Sequence, residues 1–248
     1  MKAMIFAAGL GARLRPLTND RPKALVEING RTLLEIVLTR VREFGVRDVV
    51  INVHHLAEQL VEYLKANDNF GMHVDVSRED VLLDTGGGLK KAAHFFLAGA
   101  GNPQEPILVH NVDVLSTIDL ARMTEAHAAG QALATLAAQD RETSRYLLFD
   151  EQGHLCGRRI GKIATAEIVR ASRKVVPLAF SGVHIISPRL LDKLAEQGPF
   201  SIITSYLRLA GQGEDIQAFR ADQYYWRDLG RLADLEQAGE DLKAAKSS

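Results

Sequence analysis

The residues best equipped for chemistry crowd into one early segment, MIFAAGLGARLRPLTNDRPKAL, over residues 4 to 25. An apolar run ends at Ala7-Ala8, glycines stand at Gly9 and Gly11, and Arg13, Arg15 and Lys23 follow. Glycine lets backbone N–H groups approach an anion closely, because no Cβ intervenes. Arginine brings a planar fork of donors to phosphate oxygens, and lysine a point charge. Pro16 and Pro22 stiffen the loop. Together they describe a cradle for a polyphosphate. A solvated basic loop after a first strand is the bland alternative, and a glycine pair with cations does not alone decide between them.

Two common nucleotide fingerprints fail. A dinucleotide loop needs a third glycine where Leu14 stands, and an acidic ribose contact after the second strand, where Asn52 stands. A Walker A loop needs Gly-Lys-Ser/Thr, whereas Gly11 is followed by Ala12-Arg13.

Carboxylates supply a second constituent. Asp113 follows the fourth apolar strand, at the carboxyl edge where open α/β sheets bind ligands, and Asp228 lies in a late Trp-Arg-Asp-Leu-Gly segment. Mg²⁺ takes a few carboxylates together with phosphate oxygens and water. Singly, Asp113 also suits a helix N-cap or a loop, and Asp228 a pair with a neighbouring arginine. Asn52 and the Thr85-Gly86-Gly87 turn offer amide and open backbone groups to a pyrimidine edge; a plain strand-to-helix connection capped by Thr85 is the equal alternative. Arg145, Ser181 and Gly182 are candidates to line a sugar pocket. His110 reads as a packed histidine, His54-His55 has no zinc spacing, and Trp226 reads as core.

The elements that must position these residues alternate. Residues 2–8, RDVVINV (47–53), MHVDVSRE (72–79), PILVHNVDVL (106–115) and 132–138 read as strands. Helices are expected over 32–44, where Thr32 and Glu35 form a capping box and Gly45 closes the end, then over LAEQLVEYLKAN, GGGLKKAAHFFL and 117–129. This alternation predicts an α/β fold with a mostly parallel sheet covered on both faces. After 140 the pattern changes to a hairpin turning at Gln152-Gly153, a strand at PLAFSGVHIIS, helices at PRLLDKLAE and SIITSYLRLAG, short strands at IQAFRA and QYYWRDL, and a closing helix from about 230 with a frayed tail, KAAKSS. No internal repeat is visible.

The loop AAGLGARLRPLT with the following RPKAL resembles the signature of the sugar-nucleotide pyrophosphorylases, a nucleotidyltransferase family. Val50-Ile51-Asn52, the Thr85-Gly86-Gly87-Gly88 turn, Phe180-Ser181-Gly182 and Trp226-Arg227-Asp228-Leu229-Gly230 extend the likeness in order along the chain. It is similar above all to short members that transfer UMP to N-acetylmuramate 1-phosphate. The resemblance implies a Rossmann-like fold of the GT-A type, with a mixed, mostly parallel sheet flanked by helices and a small β-hairpin lobe for the sugar. It implies one domain over 1–248, with a nucleotide-binding core at 1–139 and a sugar-binding part and closing helices at 140–248. It places Arg13, Lys23 and Asp113 as catalytic residues. Ala8, Gly9, Gly11, Arg13, Asn52, Thr85, Gly86 and Gly87 would hold the nucleotide, Arg145, Ser181 and Gly182 the sugar, and Asp113 and Asp228 Mg²⁺. Where this family usually writes glycine before the metal aspartate, this chain has Val112, which is expected to crowd the ribose side. The implied substrates are a nucleoside triphosphate, UTP favoured, and a sugar 1-phosphate. The alternatives are a CTP:phosphocholine-type cytidylyltransferase, a nucleotide-sugar glycosyltransferase with Asn111-Val112-Asp113 as a degraded D-x-D, and a non-catalytic nucleotide or sugar sensor.

Composition narrows the partners. The 248 residues carry a formal net charge of −1, which gives no global attraction to nucleic acid or to a membrane surface. No run approaches the roughly 18 apolar residues that a spanning helix needs, and the N-terminal run meets glycines and arginines rather than a cleavage site. The single cysteine, Cys156, has no internal disulfide partner. A cytoplasmic protein is expected; oligomeric state, base and sugar are not readable.

Overall fold

The structure is a computed structural model and describes residues 1–97, 104–161 and 165–246. The chain runs β1 (Lys2–Phe6), β2 (Glu27–Ile28), β3 (Arg31–Thr32), α1 (Leu33–Glu43), β4 (Asp48–Val53), α2 (Ala57–Ala66), β5 (His73–Arg78), α3 (Asp84–Leu97), β6 (Ile107–Asn111), β7 (Val114–Ser116), α4 (Leu120–Gly130) and β8 (Ala134–Gln139). It continues through β9 (Arg145–Phe149), β10 (Leu155–Ile160), β11 (Glu167–Ile168), β12 (Val176–Ile186), α5 (Ile202–Gly211), β13 (Ile216–Arg220), β14 (Trp226–Asp228) and α6 (Leu232–Lys246).

The first half forms the parallel ribbon β6-β1-β4-β5, with Met4 in register with Val50 and Val109. Strands β6, β1 and β4 are largely apolar on both faces because helices cover both, while the edge strand β5 alternates and leaves His73, Asp75 and Arg78 exposed. Ala3 and Ile5 face a core shared with Leu34 and Leu38 of α1 and Leu60 of α2. Met4 and Phe6 face the opposite core, with Leu89 of α3 and Tyr206 of α5. Beyond β6 the sheet becomes mixed. The long β12 runs antiparallel to β6, β8 and β9, and the β9-β10 hairpin extends from its outer half. This is the expected α/β architecture, with the expected hairpin turning at Gly153, whose φ is 89°.

Local differences have physical causes. The segment expected as one strand running into a loop breaks at Val112-Asp113 into β6 and the separate β7, which pairs with β14 in a ribbon of its own. That break lifts Asp113 out of the sheet. PRLLDKLAE winds only as a 3₁₀ turn over Pro188–Lys193, because Leu190 and Leu191 are already buried and Leu194 leaves helical geometry. Thr32 caps α1 by accepting from the Glu35 amide at 3.0 Å, but the Glu35 carboxylate turns to Arg31 at 2.7 Å, so the reciprocal half of the box is missing. The three glycines after Thr85 lie inside the first turn of α3 rather than in a turn before it. Strand β11, unheralded by any alternation, pairs with β10. Helix α6 reaches Lys246, so 243–246 are helical where a frayed tail is expected; residues 247–248 lie outside the described residues. Among the described residues no helix is long and apolar enough to cross a membrane.

Candidate active site

A cleft of about 600 Å³ opens at the carboxyl ends of β1 and β6, lined on one side by residues 6–13 and Lys23 and on the other by Asn111, Val112 and Asp113. The loop after β1 keeps its shape through Gly11. Its φ is +64°, and a Cβ there would stand 2.9 Å from Thr18 Cγ2 and 3.1 Å from Lys23 Cβ. The Thr18 hydroxyl donates to the Gly11 carbonyl at 2.9 Å, folding the Arg15–Thr18 stretch back under the glycines. Nothing lies within 4 Å of the Cβ position at Gly9, which leaves that backbone open to the cleft.

Lys23 is only 8 % exposed, and its ammonium donates to Asp113 Oδ2. The amide of Leu229 donates to the Asp113 carbonyl at 2.8 Å, and Asp228 stands opposite Val114 across the β7-β14 ribbon. The two aspartates, far apart in the chain, are thereby fixed side by side. Arg13 Nη2 completes the group, 4.0 Å from Asp228 Oδ1. Burial, then the charge of Asp113, raises the Asp228 pKa; Lys23, Arg13 and a hydrogen bond from the Gly230 amide pull it down. Among the described residues no set of three Asp, Glu, His or Cys side chains gathers. Asp113 and Asp228 are the cleft carboxylates that could hold a divalent cation, with its other positions left to non-protein oxygen.

The remaining predicted residues divide. Ala8, Asn52 and Thr85 line the cleft with Leu82, Asp84 and Pro199. Asn52 also clamps the scaffold, accepting from the Ala7 amide at 2.8 Å and donating to Glu79 at 2.7 Å. Gly86 and Gly87 do not line it. Their amides point at the Phe200 carbonyl, at 2.9 and 3.3 Å, and a Cβ on Gly86 would lie 2.2 Å from the Phe200 ring. Ser181 is fully buried and directs its carbonyl to Trp226 Nε1 at 2.7 Å, while Gly182, at φ +71°, makes room for the Asn111 amide. Arg145 is exposed at the start of β9, and strand alternation turns it to the face opposite Tyr146. The guanidinium that the fold sets beside Trp226 is Arg141, 3.6 Å above the indole centroid. Burial lowers the Arg141 pKa, and Asp228 and Tyr146 act against it. Val112 leaves 4 % of its surface open and joins the apolar core, its amide bonded to the Phe6 carbonyl, so it crowds the cleft less than expected. His110 is wholly buried, and burial drives its pKa down to about 3. Gly230 has no role assigned from its motif alone, yet a Cβ there would meet Arg13 Nη2 at 2.6 Å and Asp228 Oδ1 at 2.5 Å. Its signal was present in the Trp-Arg-Asp-Leu-Gly spacing.

The family model described as "Nucleotidyl transferase" matches residues 2–158. The chain belongs to this family. A nucleotidyl transferase of Caulobacter vibrioides, N-acetylmuramate alpha-1-phosphate uridylyltransferase, is 35 % identical over 224 residues, covering 85 % of each chain. The Neisseria meningitidis protein of the same name is 31 % identical and covers 96 % of each. UTP–glucose-1-phosphate uridylyltransferase of Synechocystis is 28 % identical, and the match spans 62 % of its length. Among solved structures, HddC from Yersinia pseudotuberculosis complexed with GMP-PN superposes with a TM-score of 0.75 at 22 % identity, over 97 % of this chain and 99 % of that one. At that identity the structural likeness speaks for the fold alone.

Proposed function

We propose that this nucleotidyl transferase moves a nucleoside monophosphate, UMP in preference, from the triphosphate to a sugar 1-phosphate and releases pyrophosphate. The observation that carries the reading is the convergence of Lys23, Asp113, Asp228 and Arg13 at one cleft behind a glycine loop. The relatives named for uridylyl transfer to N-acetylmuramate 1-phosphate, which match most of the chain, favour UTP and that class of acceptor. Residues 1–139 carry the nucleotide side and 140–248 the acceptor side, and a reducing cytoplasm suits the buried free thiol of Cys156.

The acceptor's phosphate oxygen is already an anion, so attack on the α-phosphorus needs no side-chain base. Catalysis is alignment and neutralisation of charge. The backbone at Ala8, Gly9 and Gly11 cradles the triphosphate, and Arg13, exposed at the rim, binds the departing pyrophosphate oxygens. Lys23, held at the cleft floor by Asp113, neutralises the charge shared between the α-phosphate and the incoming phosphate. Removing one such contact costs about 3 kcal/mol of transition-state stabilisation. Asp113 and Asp228 would hold Mg²⁺, which supplies Lewis-acid polarisation of the phosphates when bound. Asn52, Thr85 and Asp84 border the base.

The test is pyrophosphate release across four nucleoside triphosphates and a panel of sugar phosphates, phosphocholine included. Release with UTP, lost in Asp113→Asn and on chelation of divalent cations, is expected. Release only with CTP and phosphocholine would transfer the reading to that class, and nucleotide binding without turnover would make the protein a sensor.

A further inference from the structure

The wall beyond Asp228 carries cations that the chemistry at Lys23 does not employ. Trp226 precedes Asp228 by two residues on β14 and bonds to the Ser181 carbonyl. Arg141 stacks on its indole and donates from Nη2 to the Phe180 carbonyl at 2.9 Å. Next to this pair, Gln139, Ala179, Tyr146 and Arg159 stand in register across β8, β12, β9 and β10. Residues directly opposite across antiparallel strands share a face. The row therefore leads from Gln139, which the Ser181 hydroxyl approaches at 3.5 Å, to Arg159, whose guanidinium lies 4.8 Å from the Tyr146 ring centroid.

Neither guanidinium is held in an ion pair; Asp228 acts on Arg141 only through space. Arg158, next in sequence, pairs with Glu167 at 2.6 Å, whereas among the described residues Arg141 and Arg159 form no ion pair. The Nε atoms of both are buried without a hydrogen-bond partner. A guanidinium stacked on an aromatic ring has its plane fixed and keeps its edge for in-plane donors, the arrangement that accepts a carboxylate in two-point fashion. Two such groups on the acceptor half of the chain, beside but apart from the phosphate-handling residues, call for a second anion.

We propose that Arg141 and Arg159 form a subsite for a carboxylate on the acceptor sugar, so that this enzyme selects sugar 1-phosphates carrying a second negative group over counterparts whose only charge is the phosphate. This rests on the sugar 1-phosphate reading above. Tyr146 and Trp226 hold the two guanidinium planes, and the carboxylate supplies the charge that the protein leaves out.

N-acetylmuramate 1-phosphate and N-acetylglucosamine 1-phosphate make the matched pair, since the first carries a lactyl carboxylate that the second lacks. With UTP and Mg²⁺, the wild type favours the carboxylated acceptor in kcat/KM. Arg159→Gln and Arg141→Met reduce that value about 10- to 100-fold, the worth of one charged hydrogen bond, mostly through KM. Turnover of the acceptor without a carboxylate stays within about twofold, because no contact to it is removed. Arg159 lies on the outer hairpin, so Arg159→Gln decides the matter if Arg141→Met fails to fold. Calorimetric titration of both sugar phosphates, with and without a non-hydrolysable UTP analogue, reads the subsite apart from turnover. Tighter binding of the carboxylated sugar that disappears in Arg159→Gln supports it. Equal or absent binding of both, or variants that weaken both acceptors in proportion, overturns it. Selective binding without pyrophosphate release from any triphosphate would instead overturn the reaction.

Discussion

The Leu229 amide donates to the Asp113 carbonyl at 2.8 Å, and this one backbone bond ties the end of β14 to the break after β6. It forces Asp228 and Asp113 into the same corner. Two carboxylates so placed repel, and Asp228 bears the cost: burial and the Asp113 charge raise its pKa above the ordinary aspartate value. An acid whose folded pKa is raised destabilises the fold at neutral pH, where it is ionised. Asp228→Asn is therefore expected to abolish turnover and yet to melt at the same or a slightly higher temperature in metal-free buffer. The gain is at most about 1 kcal/mol, because the side chain is 43 % exposed and solvent screens the repulsion. Added Mg²⁺ should raise the melting temperature of the wild type and leave the variant's nearly unmoved. A variant that melts well below the wild type without metal would show that Asp228 is a structural anchor.

Two glycines should separate scaffold from chemistry. Alanine at Gly86 drives a Cβ against the Phe200 ring and carbonyl, where neither α3 nor the 198–200 segment has room. The expected loss is about 2 to 3 kcal/mol of stability, with near-normal turnover by the fraction that remains folded. Alanine at Gly230 meets Arg13 Nη2 and Asp228 Oδ1 instead, the ends of side chains that can swing away. Gly230→Ala is expected to melt with the wild type and lose about 100-fold in kcat/KM through displaced phosphate contacts. Chemical denaturation and steady-state kinetics on both variants check the contrast; the reverse pattern would put the nucleotide against Gly86.

Most of the parallel ribbon was legible because apolar runs bounded by polar or glycine-rich connections have few other uses, β5 because its residues alternate with period two, and the glycine loop because glycine accommodates Gly11's φ and the approach of Thr18. What escaped depended on contacts distant in sequence. PILVHNVDVL carries one continuous apolar signal across the break that exposes Asp113, and β14 is needed to pull β7 out of the sheet. Arg141 has no local motif; it gains meaning only when Trp226, far along the chain, slides beneath it. Arg145 was the arginine that a hairpin reading brings forward, and strand alternation turns it away from Tyr146. Gly86 and Gly87 read in sequence as open backbone for a pyrimidine edge, and only the distant 198–200 segment, which packs against them, shows how little room they leave.

Arg40 supports the same corner from below. It reaches from α1 to Ser116 Oγ at 2.6 Å and to the Ile118 carbonyl, gripping the far end of β7. Burial lowers its pKa to about 10. Arg40→Met leaves those two acceptors unsatisfied and is expected to cost about 2 kcal/mol. Because β7 begins just after Asp113, the variant should also need more Mg²⁺ for half-maximal turnover, while saturating metal restores most of the rate. A magnesium titration of initial rates checks this. An unchanged midpoint would confine Arg40 to stability.

Acid lability should come from histidines rather than from the site carboxylates. His110 and His184 are wholly buried, and burial lowers the pKa of each to about 3; His127 is lowered to about 4 for the same reason. His184 already spends Nδ1 on the Tyr206 hydroxyl at 2.5 Å, and His127 its Nδ1 on Thr135 at 2.9 Å. In the unfolded chain these rings take a proton near pH 6.5, and in the folded chain they resist it. Their contribution is therefore complete above pH 6.5 and drains away as pH falls, since the unfolded state binds more protons throughout that window. By pH 4 His110 and His184 each withdraw about 3 kcal/mol, a large share of the stability of a domain this size. Glu196, held near 2 chiefly by its hydrogen bond with Arg208 against the opposing effect of burial, adds to the loss only below the ordinary glutamate range. The buried imidazoles dominate the decline between pH 6.5 and 5. Urea midpoints measured at half-unit steps should fall through that interval, and His127→Gln should flatten the slope. A midpoint constant down to pH 5 would mean that the buried rings take up protons as readily folded as unfolded.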